Sequence, residues 1–392
     1  MSEQTHSAKQ VIVISGVNLT EGGPLSILKD AANNFVTHFI SGYILVLLVN
    51  KKSLLDDICF DPRVEIQEYK YPKRSWLLRL WFEYIHCWFI SRKIKPFIWL
   101  ALHDMTPNVK CANRIVYCHN PAPFYKPGLR EILLEKSLLF FKLFYGLFYY
   151  ININKNKFVI VQQEWIRREF EYRYKIKNTI VSYPNVQMDV DKSESVYSAG
   201  RSFCFLYPSL PRVFKNFEVL LAAAEILKKS KYNFEIILTF DGSENKYASM
   251  LRKKYAHLSC IKFTGIQKRN ELINLYNIAS CIVFASRMET WGLPISEAKL
   301  FNKPILVADL QYAHETVGDY DKACFFDAGD AVALASLMEN AMNGSLQYHK
   351  PCYTKPLQPF VQSWKELYEL ILSDKSQGNI DAGYKLSTIY DA

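Results

Sequence analysis

The 392-residue chain has no C-x-x-C pair and no group of histidines and cysteines at zinc-ligand spacing. Its nine cysteines are an odd set, which argues for reduced thiols in a cytosolic protein rather than a disulfide framework. No structural metal and no cofactor are therefore expected. No apolar run reaches the roughly 18 uncharged residues that a membrane span requires: Tyr43–Val49 is short, and Leu138–Ile151 is interrupted by Lys142. The polar start MSEQTHSAKQ passes directly into an apolar strand at Val11–Ile14, with no room for a secretory signal before the fold begins, so synthesis is expected to end in the cytoplasm. The spacing G-x-G-x-x-G is missing after that strand, and Asn50-Lys51-Lys52 stands where a dinucleotide fold would place an acidic residue. Signatures of nucleic-acid-binding modules are also absent, so no nucleic-acid partner is expected.

With 49% hydrophobic residues, the chain can bury two cores of ordinary size. Short apolar runs alternate with helical stretches twice over, the pattern of parallel sheets covered by helices in two successive Rossmann-like α/β domains. Strands are expected at 11–14, 43–49, 64–69, 97–102, 114–118, 157–161 and 179–182, then at 203–207, 234–239, 260–264, 281–284, 304–308 and 323–326. Helices of the second half are expected near 216–229, 245–256, 269–278, 294–301 and 330–343. The polar segment 186–200 has neither helical nor strand period and reads as the linker. This divides the chain into residues 1–190, 200–355 and a C-terminal part, 356–392, with an amphipathic helix over Pro359–Ser373.

A net charge of +10 leaves nucleic acid, membrane surface and anionic substrate to be weighed. Between residues 71 and 100, Lys73, Arg74, Arg79, Arg92, Lys93 and Lys95 accompany Trp76, Trp81, Trp88, Phe89 and Trp99, with Glu83 the one acid. A second aromatic segment runs from Leu138 to Tyr150. Basic and aromatic side chains together suit contact with an anionic membrane surface; a helix packed on its own sheet is the alternative.

The densest signal lies in residues 286–307. Pro294 follows Gly292 and Leu293 and opens a run of helix formers, the position where proline's fixed φ and missing N–H are tolerated. Free amides at a helix start receive phosphate, and glycine lets the backbone come close. Glu289 then precedes the helix and Glu297 lies one turn inside it, placed to grip hydroxyls on either side of a diphosphate. A solvated acidic face is the alternative. Elsewhere, Gly22 and Gly23 lie in a loop between the first strand and a helix. His119 ends another strand at the carboxyl edge of the sheet, where open α/β folds place ligands. His103 and Asp104 end the preceding strand, as a possible acceptor-side pair or a turn. Arg212 and Lys215 precede a helix and could neutralise a diphosphate, with Arg287 the next cation to consider.

On Glu289-x7-Glu297, the intervening Trp291-Gly292-Leu293-Pro294, Glu297-Ala298 and the following strand, the chain resembles the retaining glycosyltransferases of family 4, of GT-B fold. The resemblance implies two Rossmann-like domains facing across a cleft, with the last helix crossing back to the first domain. Glu289 would contact the donor hexose, Glu297 the ribose, and the backbone of Thr290, Trp291, Gly292, Leu293 and Pro294 the hexose and phosphates. Gly22 and Gly23 would lie near the donor phosphates, His119 near donor sugar or acceptor, and Lys215 on the diphosphate. The base would lie near Gly265 and Ile266, with Asp241–Ser243 in support. The family arginine usually stands where Leu210 is found, and Arg212 is its possible substitute. No clear D-x-D motif calls for a divalent ion. The implied activity is transfer of a hexose, with retention, from a nucleotide diphosphate sugar to a lipid-linked glycan acceptor at the inner face of a membrane, in surface polysaccharide or O-antigen synthesis. A nucleotide-sugar 2-epimerase and a noncatalytic membrane-surface scaffold are the alternatives.

Overall fold

The computed structural model describes residues 9–185, 188, 202–228, 232–350 and 353–373. Seven strands form in the first half: β1 (Gln10–Ser15), β2 (Tyr43–Val49), β3 (Val64–Glu68), β4 (Ile98–Ala101), β5 (Asn113–Cys118), β6 (Phe158–Val161) and β7 (Thr179–Ser182). Six follow: β8 (Phe203–Tyr207), β9 (Phe234–Leu238), β10 (Ile261–Phe263), β11 (Cys281–Phe284), β12 (Ile305–Ala308) and β13 (Ala323–Phe326). A two-residue strand, β14 (Phe360–Val361), comes near the C-terminus. The central strands are runs of Val, Ile, Leu and Phe buried on both faces, as parallel sheets clad by helices require.

One sheet has the order β14-β7-β6-β5-β4-β1-β2-β3 and the other β10-β9-β8-β11-β12-β13, and every pairing is parallel. Strand order reverses between β1 and β4 in the first and between β8 and β11 in the second. Such switch points open a crevice at the carboxyl ends of the strands, and the loops leading to Gly22 and bearing His103, Lys215 and Glu289 leave from these four strands.

Two expectations need correction. Residues 359–373 are not one helix: Phe360–Val361 pair with Val181–Ser182 of β7, and the helix starts at Trp364. A short helix, Gln311–Val317, also follows β12. Its seven residues give too little periodicity to read, and it holds because Tyr312, Ala313, Thr316 and Val317 are buried. The segment 186–200 lies, Met188 apart, outside the described residues.

Return of the chain to the first sheet is stabilised by helix Trp364–Ser373. Trp364 stacks on Tyr117 at 5.5 Å, Tyr368 meets Phe35 edge-on at 5.1 Å, and the Tyr368 hydroxyl donates to the Ala31 carbonyl at 2.8 Å. Leu367 is fully buried in the same core. Leu367→Ala should therefore lower stability by about 2–5 kcal/mol, read as a lower urea midpoint for the transition that reports on the first domain.

Candidate functional site

The helix start expected at Pro294 is realised as helix Leu293–Leu300, with Gly292 at its N-cap in the left-handed region, φ +84°. A side chain there would be strained, and a Cβ would come within 3.1–3.4 Å of Phe284, Ile295 and Tyr312. Gly22 is likewise left-handed, φ +60°. Gly22 and Gly23, expected in a loop, are the first residues of helix Gly22–Phe39; a Cβ on Gly23 would lie 3.3 Å from Leu293, so the starts of the two helices approach each other directly. Thr290 spans the same gap, its hydroxyl donating to the His119 carbonyl at 3.1 Å.

At the centre, Lys215 forms an ion pair with Glu289. Both side chains are largely buried, and the ammonium lies 5.4 Å from the Phe284 ring and 5.7 Å from that of Phe214. Glu297 accepts a hydrogen bond from the buried Tyr276 hydroxyl at 2.6 Å. Burial raises its carboxyl pKa, against the opposing effects of that bond and of Arg269. The other two cations reach the first domain: Arg212 Nε donates to Glu135 at 2.7 Å, and Arg287 lies 3.1 Å from Glu131. Thus Arg212, considered for the diphosphate, here faces a carboxylate of the opposite domain. Trp291 turns away from the cleft; its indole donates to Ser296 at 2.9 Å and its ring packs 4.4 Å from Tyr183. Gly265 is left-handed, φ +77°, and Ile266 beside it is exposed, while Gly242 is left-handed after Asp241.

His103 and Asp104 part company. Asp104 anchors the His119 loop: it accepts the His119 amide at 2.7 Å, the Asn120 amide at 3.1 Å, and the hydroxyls of Tyr145 and Tyr149 at 2.9 and 3.0 Å. His119 is left with a buried Nδ1 that makes no hydrogen bond. His103 is buried, with Nε2 3.2 Å from Ser15 Oγ and 3.3 Å from Glu83 Oε1. Both side chains, considered as an acceptor-side pair or a turn, serve buried networks.

Residues that the sequence reading passed over matter here. Glu83 is fully buried in a π-helical turn, Phe82–His86, and nothing in its local sequence announces that. Glu131 lies in the short helix Leu129–Leu134 and Glu135 caps its end; no motif in the sequence marks either. A cavity of about 220 Å³ lies between the domains beside Glu289, with Trp165 and Tyr125 on one side and Arg287 and Gln311 on the other. Among the described residues no group of three or more His, Cys, Asp or Glu converges as a metal site. Two literal Asp-x-Asp triplets do occur: 189–191 lies outside the described residues, and Asp319-Tyr320-Asp321 is a turn after helix Gln311–Val317 with both aspartates exposed.

Residues 192–354 match the family model described as glycosyl transferases group 1. The chain is 22% identical over 245 residues to the O-antigen chain mannosyltransferase RfbU of Salmonella typhimurium, covering 61% of this chain and 64% of that protein. Among solved structures it resembles sucrose-phosphate synthase from Thermosynechococcus elongatus, with a TM-score of 0.65 at 14% identity over 86% of this chain and 90% of that one. It also resembles Anabaena HepE in complex with UDP-glucose, with a TM-score of 0.58 at 14% identity over 92% and 94%. The two described domains have the GT-B fold.

Burial pushes the Glu83 carboxyl up to about 8, although the Arg79 guanidinium pulls it down. A raised folded-state value means that this stabilisation is full below the unfolded value of 4.5 and is lost as pH rises through about 8. The neighbouring His103 has the opposite sign, because burial lowers its pKa and stability falls as pH drops below 6.5. Glu83→Gln should therefore gain stability relative to the parent as pH rises from 4.5 to about 8, measured as the difference in thermal midpoint across that range.

Proposed function

We propose that this protein is a retaining hexosyltransferase that transfers a hexose from a nucleotide diphosphate sugar to a hydroxyl of a lipid-linked glycan, in surface polysaccharide or O-antigen synthesis. The observation that carries this reading is the Lys215–Glu289 pair set before the Gly292-capped helix and opposite Gly23. It puts a cation, a carboxylate and the positive end of a helix in one crevice, the groups needed for an anionic leaving group beside a sugar. The likeness to a mannosyltransferase and to a protein bound to UDP-glucose supports the same class.

In this mechanism the donor diphosphate lies against the helix start and Lys215. As the bond from the anomeric carbon to the phosphate oxygen breaks, its electron pair leaves with the diphosphate and positive charge grows on the ring. Lys215 and the positive end of the helix, fixed in place beforehand, stabilise the leaving charge. Glu289 holds the hexose, and Glu297 the ribose. The acceptor hydroxyl attacks the same face, and its proton passes to the leaving phosphate oxygen. Glu289→Gln should then cut turnover by about 10²–10³ in assays with GDP-, UDP-, dTDP- and CMP-sugars, in protein that is folded at the assay temperature although loss of the Lys215 ion pair lowers its thermal midpoint. Nucleotide binding should raise the midpoint and Lys215→Ala should abolish the shift; no shift with any donor would instead favour a scaffold.

Membrane-surface contact belongs to the same proposal. No helix among the described residues is long and apolar enough to cross a membrane. Leu77, Phe89, Leu129, Leu133, Leu143 and Leu147 are all more than half exposed. Trp76 stacks on Phe148 at 5.3 Å and lies 5.1 Å from Phe140, which joins the two aromatic segments into one face. Exposed Lys73, Arg74, Arg92, Lys93, Lys136 and Lys142 accompany them, each worth about 1 kcal/mol near an anionic surface. By contrast Trp99 and Phe82 are fully buried and belong to the core. Leu77→Glu with Leu143→Glu should weaken sedimentation with phosphatidylglycerol vesicles by about tenfold or more, while changing stability by less than about 0.5 kcal/mol.

A further inference from the structure

The cavity beside Glu289 differs in chemistry from the loops around Lys215. Its first-domain side is aromatic, with Phe124, Tyr125 and Trp165, and its second-domain side is mixed, with Arg287, Glu289 and Gln311 beside Met288, Leu310 and Tyr312. The walls are held from outside the cavity. Glu131 accepts from the Tyr125 hydroxyl at 2.7 Å and from Arg287 at 3.1 Å, so one carboxylate fixes both sides. The Trp165 indole donates to Gln163 at 2.6 Å, its ring meets Phe124 edge-on at 5.8 Å, and Tyr312 donates to the Ser286 carbonyl at 2.7 Å.

A pyranose has an apolar C–H face and a rim of hydroxyls that both donate and accept. Aromatic rings suit the first, and amide, guanidinium and carboxylate groups the second. The volume of about 220 Å³ equals about seven waters at ~30 Å³ each. It falls below the ~300–1,000 Å³ of sites for drug-sized ligands, so it admits one sugar ring rather than an oligosaccharide. An anion is disfavoured, because Glu289 lines the space and Glu131 already compensates Arg287.

We propose that this cavity seats the terminal sugar of the acceptor glycan, with its ring against Trp165 and its hydroxyls toward Gln311 and Arg287. The proposal rests on the transferase reading and names the acceptor subsite within it. Glu289 lines the cavity and also pairs with Lys215, so donor and acceptor sugars would meet at one carboxylate.

The test uses the full chain saturated with a nucleotide that raises its thermal midpoint, and saturation-transfer NMR with methyl glycosides of mannose, galactose, glucose and N-acetylglucosamine. At least one glycoside should bind saturably, about tenfold more weakly in Trp165→Leu and about threefold or more weakly in Gln311→Ala, with the nucleotide shift retained in both. Gln311 is exposed, so its variant keeps the test valid if loss of Trp165 harms folding. No binding of any glycoside up to about 50 mM, with the nucleotide shift intact, overturns the subsite. Loss of nucleotide-sugar affinity in folded Gln311→Ala, with glycoside binding unchanged, would assign the cavity to the donor and overturn the acceptor role. Failure of the parent to bind any nucleotide would instead overturn the transferase reading beneath it.

Discussion

Compensation of positive charge in the cleft is the constraint around which the two domains are arranged. Lys215 is answered by Glu289 from its own domain, whereas Arg212 and Arg287 are answered by Glu135 and Glu131 from the other. A largely buried ammonium and carboxylate are costly to leave alone; losing one partner of such a pair typically costs about 3–5 kcal/mol. The two arginine pairs, half-exposed on the guanidinium side, join second-domain loops to the facing domain, where Gly23 is in near contact with Leu293. In the proposed reaction a diphosphate takes the place of carboxylate charge at the helix start, an exchange of one anion for another rather than the burial of a new charge.

The same interface continues at the back of the cleft by neutral and backbone contacts. Gln163 donates to the Tyr312 carbonyl at 3.0 Å and to Thr316 at 2.8 Å, and Glu315 accepts from the Glu164 amide at 2.9 Å and from Tyr183 at 3.0 Å. Burial raises the Glu315 carboxyl to about 7. Near neutral pH this contact thus carries only part of a negative charge, while Glu131 and Glu135 at the mouth face arginines directly.

Within the first domain, precision is devoted to the His119 loop. Asp104 accepts two loop amides and two tyrosine hydroxyls, and the tyrosines belong to the aromatic segment whose outer face is proposed to meet the membrane. One carboxylate thereby ties a cleft loop to the helices beneath that face. Glu83 and His103 lie on the other side of the same strand end, where burial disfavours the charged form of each.

Much of the fold was legible in the sequence, because hydrophobic runs in parallel sheets are nearly continuous and glycine and proline mark the loops between them. β2, β7, β8, β11 and β13 match the expected bounds, and helix Leu293–Leu300 starts within a residue of Pro294. The helix start at Gly292, with Glu289 before it and Glu297 inside it, was readable because helix starts are local devices, written in adjacent positions. What the chain could not disclose is long-range. That Phe360–Val361 would extend the first sheet depends on β7, about 180 residues earlier. Arg212 turning to Glu135, Glu83 reaching His103 in the interior, and Glu131 bridging Tyr125 to Arg287 are set by the approach of two separately built domains. Residue type and spacing determined which groups carry charge and where the backbone exposes its amides. Only tertiary structure decided which charges meet, because pairing depends on distances of a few ångströms and on the water excluded between partners far apart in sequence.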